Sequence, residues 1–243
     1  MNPGLKIKEH LIKNEFNPGL TGLFTNPFYF SRKGLFKAIS TNSGFIKGKV
    51  LDVGCGSKPY KNLFSWVEYT GIDIAQNGHD HQNEEIDIYY DGKNIPFNSG
   101  EFDSAVSFEV LEHVFNPDEL LKEIHRILKN EGILMITVPF VWDEHEQPYD
   151  YARYSSFGLK FLFEKNGFEL LKQERINNTL SVIFQLMNAY LFKILLKRRS
   201  VFMKYLLTFI FCAPVNIVGS FFSKILPRND DLYLDNIIVA KKI

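Results

Sequence analysis

Two stretches of the chain concentrate the residue types that do chemistry. The first, "VPFVWDEHEQPYDYARYS", supplies Asp143, Glu144, His145, Glu146, Asp150, Tyr151 and Tyr154 in one run. His145 is the candidate general base, because an unperturbed imidazole titrates near neutrality and a positioned base accelerates proton removal by about 10²–10⁴-fold. The competing reading is a polar lid without a base. The Asp-Glu-His-Glu run can also be read as a metal site, but adjacent residues on one loop rarely converge on one ion, so no metal is expected from it. Arg153 either positions an anionic substrate group or pairs with Asp150. The second stretch, "VLDVGCGSKPY", combines Asp52 with Gly54 and Gly56 and is followed at a distance by Asp73. Its residue types suit ligand binding rather than proton transfer.

These residues need a scaffold, and the hydrophobic pattern indicates one. "KVLDVGC", "VEYTGIDIA", "EEIDIYYDG", "EFDSAVSFEV" and "GILMITVPF" are short apolar runs that read as buried strands. "NPDELLKEIHRILKNEG" has helix punctuation, with Asn116 as N-cap, Pro117 at the first position and Gly132 as the stop; Leu120, Leu121, Ile124, Ile127 and Leu128 form its apolar face. "SSFGLKFLFEKNGF" is a second capped helix ending at Gly167, followed by a strand in "ELLKQERI" and a closing one in "DLYLDNIIVAKK". Strands alternating with helices predict an α/β fold with a doubly wound, mostly parallel sheet.

In such a sheet, a strand turning sharply into a helix places backbone N–H groups and the helix N-terminus at the strand's carboxyl end, where open α/β sheets bind ligands. Gly54 and Gly56 permit a tight turn and close approach of a ligand. Asp73, ending the next strand, can accept hydrogen bonds from both hydroxyls of a ribose. A dinucleotide site usually keeps a third glycine beneath the pyrophosphate, but here Ser57, Lys58, Pro59 and Tyr60 follow Gly56. Asp52, beside the turn, would repel a pyrophosphate and suits a ligand with a positively charged amino-acid end.

The chain resembles the class I S-adenosylmethionine-dependent methyltransferases across residues 48–172. "VLDVGCGSKPY" resembles their first motif, and "YTGIDIA" their ribose-binding motif. "YYDGKNIPFNSGEFDSAVSFEVLEHVFNPDELLKEIHRILKNEGILMITVPF" is similar to the block of a type 11-like group that reads D-x-x-x-L-P-F, F-D-x-V and E-V-L-E-H. "HEQPYDYARYS" is similar, less specifically, to relatives in surface-polysaccharide and lipid metabolism.

The resemblance implies a seven-stranded Rossmann-like sheet and S-adenosylmethionine as cofactor. Asp52, Gly54 and Gly56 would surround the methionine end, Asp73 and Ile74 the ribose and adenine, Asp91 and Gly92 the adenine amino group, and Phe108 and Glu109 the amino-acid moiety. Asp91 as a solvated turn residue and Glu109 as a helix N-terminal acid are the alternatives. His113, one helical turn after Glu109, faces the same pocket or is a packed or surface residue. With Tyr151 and His145 it completes the catalytic candidates. A nicotinamide-dependent oxidoreductase, or a binding protein without activity, are the competing functions.

The chain has 243 residues, is 45% hydrophobic and has zero formal net charge, which gives no basic footprint for nucleic acid. Cys55 and Cys212 are its two cysteines, so a disulfide framework is not expected and a cytoplasmic location is. "MNPGLKIKEHLIKNEF" lacks an apolar core of signal-peptide length. Three regions are expected: an N-terminal helical segment over 1–47, a cofactor-binding domain over 48–178 and 230–243, and an apolar helical insertion over 179–229. In that insertion Lys193, Lys197, Arg198, Arg199 and Lys204 cluster at the junction of two apolar helical patterns, and Leu206–Phe222 carries no charge. It reads either as a helical cap buried on the domain or in a homodimer interface, or as a peripheral membrane contact through 180–226 at the inner face of a membrane. The acceptor is accordingly expected to be a small or lipid-linked molecule, methylated at oxygen.

Overall fold

A computed structural model of the chain describes residues 15–75, 85–196 and 199–243. Residues 1–14, which hold most of the leader reading, and Lys197 and Arg198 of the basic cluster lie outside the described residues. Contacts divide the chain into two units. One takes in the residues up to Lys37 with Ile176–Leu234, and the other Ala38–Arg175 with Asp235–Ile243. Of the N-terminal segment read as 1–47, residues 15–37 thus group with the helical insertion and residues 38–47 with the sheet.

The second unit is built on a seven-stranded sheet: β1 (Lys49–Val53), β2 (Glu68–Ile74), β3 (Ile88–Tyr90), β4 (Phe102–Phe108), β5 (Leu128–Pro139), β6 (Phe168–Ile176) and β7 (Asp235–Lys242). The strand order is β3-β2-β1-β4-β5-β7-β6. β1 through β5 pair in parallel, and β7 runs antiparallel to β5. The order reverses at β1 and β4, so the carboxyl ends of these strands flank the crevice where this topology places ligands.

α2 (Pro117–Ile127) packs on the sheet through Leu120, Leu121, Ile124 and Ile127, each buried in the core; each such side chain contributes roughly 1.5–3 kcal/mol relative to exposure. It starts after Asn116 with Pro117 in the first turn, but it stops at Ile127 rather than at Gly132. Leu128 already pairs with Phe102, and Ile133 pairs with Ser104, so Lys129–Gly132 bulge out of β5 with Glu131 at φ 61°. α3 (Ser156–Lys165) keeps both of its expected ends. Its N-cap Ser155 accepts from Gly158 N, and Gly167 follows at φ 81°.

Two expected helices are absent. After the glycine turn the chain forms one 3₁₀ turn, Lys61–Phe64, before entering β2. Lys58 at φ 50° and Pro59, which has no N–H, break helical continuity there. Among the described residues, no α-helix therefore starts between the turn and β2. In the E-V-L-E-H block Glu109 takes φ 57°, and only a 3₁₀ turn, Leu111–His113, follows it. Glu109 is thus not a helix N-terminal acid, and Glu109 and His113 do not share a helix face.

In the first unit, α4 (Ser181–Leu191) continues as a π-helical turn to Leu196, α5 (Val201–Leu207) follows, and a second π turn leads into α6 (Ala213–Ile225). Buried amides join this region to the N-terminal segment. Gln185 Oε1 accepts from Phe30 N and Ser31 N at 3.0 and 3.2 Å, in the first turn of α1 (Tyr29–Asn42), while its Nε2 donates to Pro27 O. Asn188 donates to Asn216 at 2.8 Å, and Asn216 donates to the carbonyls of Leu23 and Asn26. Buried amides left without partners would each cost about 1–3 kcal/mol, so this network fixes one arrangement of the segments.

Candidate active site

The turn after β1 is held by three backbone donors. Gly54 N and Cys55 N both donate to Ile72 O, and Gly56 N donates to Asp73 Oδ2 at 2.9 Å. Gly54 lies at φ 76°, and a Cβ there would meet Val110 Cγ2 at 2.5 Å. The turn therefore requires glycine both for its dihedral and for its neighbour. Asp73 is buried, and its Oδ1 accepts from Ile74 N at 2.8 Å. An ionised carboxylate is an acceptor-only group with two oxygens, the chemistry that a pair of ribose hydroxyls calls for.

Lys58, two residues after Gly56, is a structural residue. Its side chain is 2% exposed and pairs with Asp87 at 2.6 Å. The same Asp87 oxygen accepts from Gly71 N at 2.7 Å. Gly71 gives the lysine its path, since a Cβ there would meet Lys58 Cε at 2.4 Å and Cys55 Sγ at 2.7 Å. The ion pair locks the turn to the strand beside it.

Asp52 is buried and accepts a 2.5 Å hydrogen bond from the Tyr69 hydroxyl. Burial pushes its pKa up to about 7, against the downward pull of that hydrogen bond; the charge of Asp73 adds to the rise. A positive ligand group would discharge this strain by holding Asp52 ionised. Burial and the same two aspartates push the Cys55 thiol up, leaving it inert.

Beyond β2, a Cβ on Gly92 (φ 76°) would touch Ile74 Cγ2 at 3.2 Å, so these two residues adjoin at the strand ends. Asp91 is exposed and folds back on its own turn, accepting from Lys93 N, Asn94 N and Asn94 Nδ2. Phe108, ending β4, lies in an aromatic cluster, edge-on to Tyr60 at 5.4 Å and stacked with Phe64 at 6.2 Å.

The E-V-L-E-H turn and the loop after β5 come together. His113 Nε2 lies 3.2 Å from His145 Nε2, 3.7 Å from Glu112 Oε1 and 3.6 Å from Glu146 Oε2. Glu112 is fully buried, and burial, reinforced by the charge of Glu109, raises its pKa well above the carboxylate range. Glu109 itself donates its N–H to Thr137 O at 3.0 Å. Burial and the neighbouring His113 lower the pKa of His145, which favours its neutral form.

Asp150 anchors the loop, accepting from His145 N at 2.9 Å and from both Arg153 terminal nitrogens at 2.5 and 2.7 Å. Burial opposes ionisation of Asp150, but the Arg153 bonds prevail and hold its pKa at about 2. Arg153 is therefore committed to Asp150, the structural alternative of the two read from sequence. Tyr151 donates its N–H to Glu112 O, and its exposed ring packs edge-on against Phe115 at 5.3 Å.

The methyltransferase domain family matches residues 29–173, more than half of the chain. The chain belongs to the class I S-adenosylmethionine-dependent methyltransferases. Among the curated relatives whose names state an activity are two directed to quinones. One is a demethylmenaquinone methyltransferase of Staphylococcus saprophyticus, 29% identical, with 60% of this chain and 69% of the relative aligned. The other is a ubiquinone biosynthesis O-methyltransferase of Glaesserella parasuis, 30% identical over 39% of this chain and 47% of the relative. The chain spans only 38% and 45% of the length of two uncharacterized Methanocaldococcus jannaschii relatives that it also matches. Among solved structures, Haemonchus contortus phosphoethanolamine N-methyltransferase 2 in complex with S-adenosyl-L-methionine has the same fold, with a TM-score of 0.54 at 17% identity, covering 95% of this chain and 59% of that one.

For this methyltransferase, three site features were not read from the sequence. Glu112 lies inside the E-V-L-E-H block, where no local pattern separates it from Glu109. The Lys58–Asp87 lock and the Tyr69–Asp52 bond join residues far apart in the chain, and no local pattern signals them.

Proposed function

We propose that this chain binds S-adenosylmethionine at the β1 turn and transfers its methyl group to a hydroxyl oxygen of a small or lipid-linked acceptor at a membrane surface. Asp52 would face the charged methionine end, and Asp73 the ribose. The acceptor hydroxyl gives its proton to a base of the site or to water, an oxygen lone pair forms the O–CH₃ bond, and the C–S bonding pair returns to sulfur, leaving a neutral thioether. The sulfonium already activates the methyl group, so alignment and exclusion of water carry most of the acceleration, worth roughly 7–11 kcal/mol in well-oriented systems. The name of the ubiquinone biosynthesis O-methyltransferase favours oxygen as the acceptor atom. The absent third glycine and the family match both disfavour a nicotinamide-dependent reading.

The observation that carries the membrane part is the surface of the helical unit. Val201–Ile225 is long and apolar enough to cross a membrane, with mean hydropathy 1.8, yet only 28% of its most apolar window is buried. Val201, Phe202, Phe209, Phe221 and Ile225 are all more than half exposed. Residues 176–229 contain Lys193, Lys197, Arg198, Arg199, Lys204, Lys224 and Arg228 and no acid. An exposed apolar surface with uncompensated positive charge suits the boundary of an anionic bilayer. The buried amides of Gln185, Asn188 and Asn216 hold the helices to the N-terminal segment, and the chain returns to form β7, so the helices would lie in the interface rather than span it.

The test is co-sedimentation with vesicles containing or lacking anionic lipid, paired with a labelled-methyl assay on the lipid fraction of a cell extract. Wild type should pellet with anionic vesicles, and Lys197→Gln/Arg198→Gln/Arg199→Gln should pellet several-fold less. A protein that stays in the supernatant as a dimer, with label only in soluble products, would overturn the membrane reading.

A further inference from the structure

The two histidines of the site pose a problem of hydrogen accounting. His113 Nδ1 lies 2.9 Å from the carbonyl of Tyr149, which can only accept, so Nδ1 carries the proton and Nε2 of the neutral ring is bare. His145 Nδ1 lies 3.3 Å from Asp143 O and 3.3 Å from Asp150 Oδ2, both acceptors, and 3.4 Å from Arg153 Nη2. Arg153 Nη2 has two hydrogens, and it already gives them to Asp143 O at 3.0 Å and Asp150 Oδ2 at 2.7 Å. None remains for His145, so its Nδ1 is also the protonated nitrogen. Two neutral rings fixed in this way direct two lone pairs at each other across 3.2 Å. Something positive has to lie between them.

A shared proton would satisfy the two rings alone. Glu112 points to more. It is 0% exposed, its carboxyl oxygens have no hydrogen-bond partner among the described residues, and Oε1 lies 3.7 Å from His113 Nε2. One donor atom from each of Glu112, His113 and His145 falls within 4.8 Å of the others. A separation of 3.2 Å is also what two imidazole nitrogens show when each stands about 2.1 Å from one ion and the angle between them is about 100°.

We propose that Glu112, His113 and His145 form a binding site for a divalent transition-metal cation, with Glu146 near enough to join. The Nδ1 partners, Tyr149 O on one ring and Asp143 O with Asp150 on the other, are the outer-shell acceptors that orient metal-binding histidines. A mixed imidazole and carboxylate set suits Zn²⁺, Mn²⁺ or Fe²⁺ better than the all-oxygen cation Ca²⁺. Three protein ligands leave a position open. Resting on the methyl-transfer reading, that position would take the acceptor hydroxyl and lower its pKa, so that its proton passes to solvent water before the oxygen meets the methyl group. No electron is transferred to or from the metal.

The test uses full-length protein stripped with a chelator and titrated with Co²⁺, followed by absorption, and with Zn²⁺, followed by calorimetry. S-adenosylhomocysteine binding is measured on the same samples. Wild type should take up one equivalent and show the visible bands of nitrogen-ligated Co²⁺. Glu112→Gln should bind at least about tenfold more weakly, and His145→Ala, altered on a surface loop, should do the same if the core variant proves unstable. Both should keep wild-type affinity for S-adenosylhomocysteine. Metal uptake equal in wild type and both variants, or no uptake with a shared imidazole proton seen by ¹⁵N spectroscopy, would overturn the site. Failure of S-adenosylhomocysteine to bind a protein that takes up metal would instead overturn the methyl-transfer reading and leave the metal site standing.

Discussion

The backbone N–H of Gly56 donates to Asp73 Oδ2 at 2.9 Å, so the acid that ends β2 also closes the glycine turn after β1. One carboxylate thereby shapes the turn proposed to hold the methionine end and is itself the proposed ribose acceptor. The coupling has a mechanical consequence: whatever loosens the turn also displaces the ribose acceptor.

Gly54→Ala tests that coupling. The alanine would have to hold φ 76° and place its Cβ 2.5 Å from Val110 Cγ2. Strain and overpacking of this kind cost about 1–3 kcal/mol, which lowers the melting temperature of a chain of this size by several degrees. Calorimetric affinity for S-adenosylmethionine should fall as well. A variant with unchanged melting temperature and affinity would show that the turn does not need glycine.

Asp52 predicts a pH dependence. Its folded pKa, near 7, is raised above the unfolded carboxylate value. The folded state therefore binds more protons between about pH 4 and 7, and the stability associated with Asp52 falls as pH rises through that window and is level above it. Cofactor affinity has the opposite trend, because a cationic ligand requires the ionised carboxylate. It should rise about tenfold between pH 6 and 8, with proton release seen as a dependence of binding enthalpy on the buffer. Tyr69→Phe removes the hydrogen bond that lowers this pKa and should shift the rise to higher pH. A flat profile in wild type would remove Asp52 from the cofactor site.

His145→Ala should lower turnover by at least 10²-fold, the lower end of the range for a positioned proton acceptor, and leave cofactor affinity within about twofold. The loss is expected whether His145 takes the proton itself or helps hold a cation that acidifies the acceptor. Wild-type turnover across pH 6–9 would exclude both roles.

Much of the scaffold was legible from local signals. The alternation of buried runs gave the strands, Ser155 and Gly167 marked α3, and the four core residues of α2 followed helical spacing. Gly132 misled because the punctuation of a helix end and that of a bulge are alike: a glycine after polar residues serves either, and only the pairing of Leu128 with Phe102 decides. The missing helix after the glycine turn was signalled by Lys58 and Pro59, but the reason for the lysine, its pair with Asp87, depends on tertiary packing. The catalytic candidates followed the same rule. His113 and His145 were chosen separately, and their meeting at 3.2 Å depends on the left-handed residue Glu109 and on a loop anchored by Asp150 and Arg153.

The proposed methyl transfer requires S-adenosylmethionine to occupy the crevice beside Asp73. The direct measurement is calorimetric titration of wild type and Asp73→Ala with S-adenosylhomocysteine and, separately, with NAD. Wild type should bind S-adenosylhomocysteine with one-to-one stoichiometry and NAD not measurably. Asp73→Ala should keep its circular dichroism spectrum and lose between tenfold and a little over a hundredfold in affinity, the equivalent of about 1.5–3 kcal/mol for a charge-assisted hydrogen-bond acceptor. Tight binding of NAD by wild type, or S-adenosylhomocysteine affinity unchanged in Asp73→Ala, would contradict it.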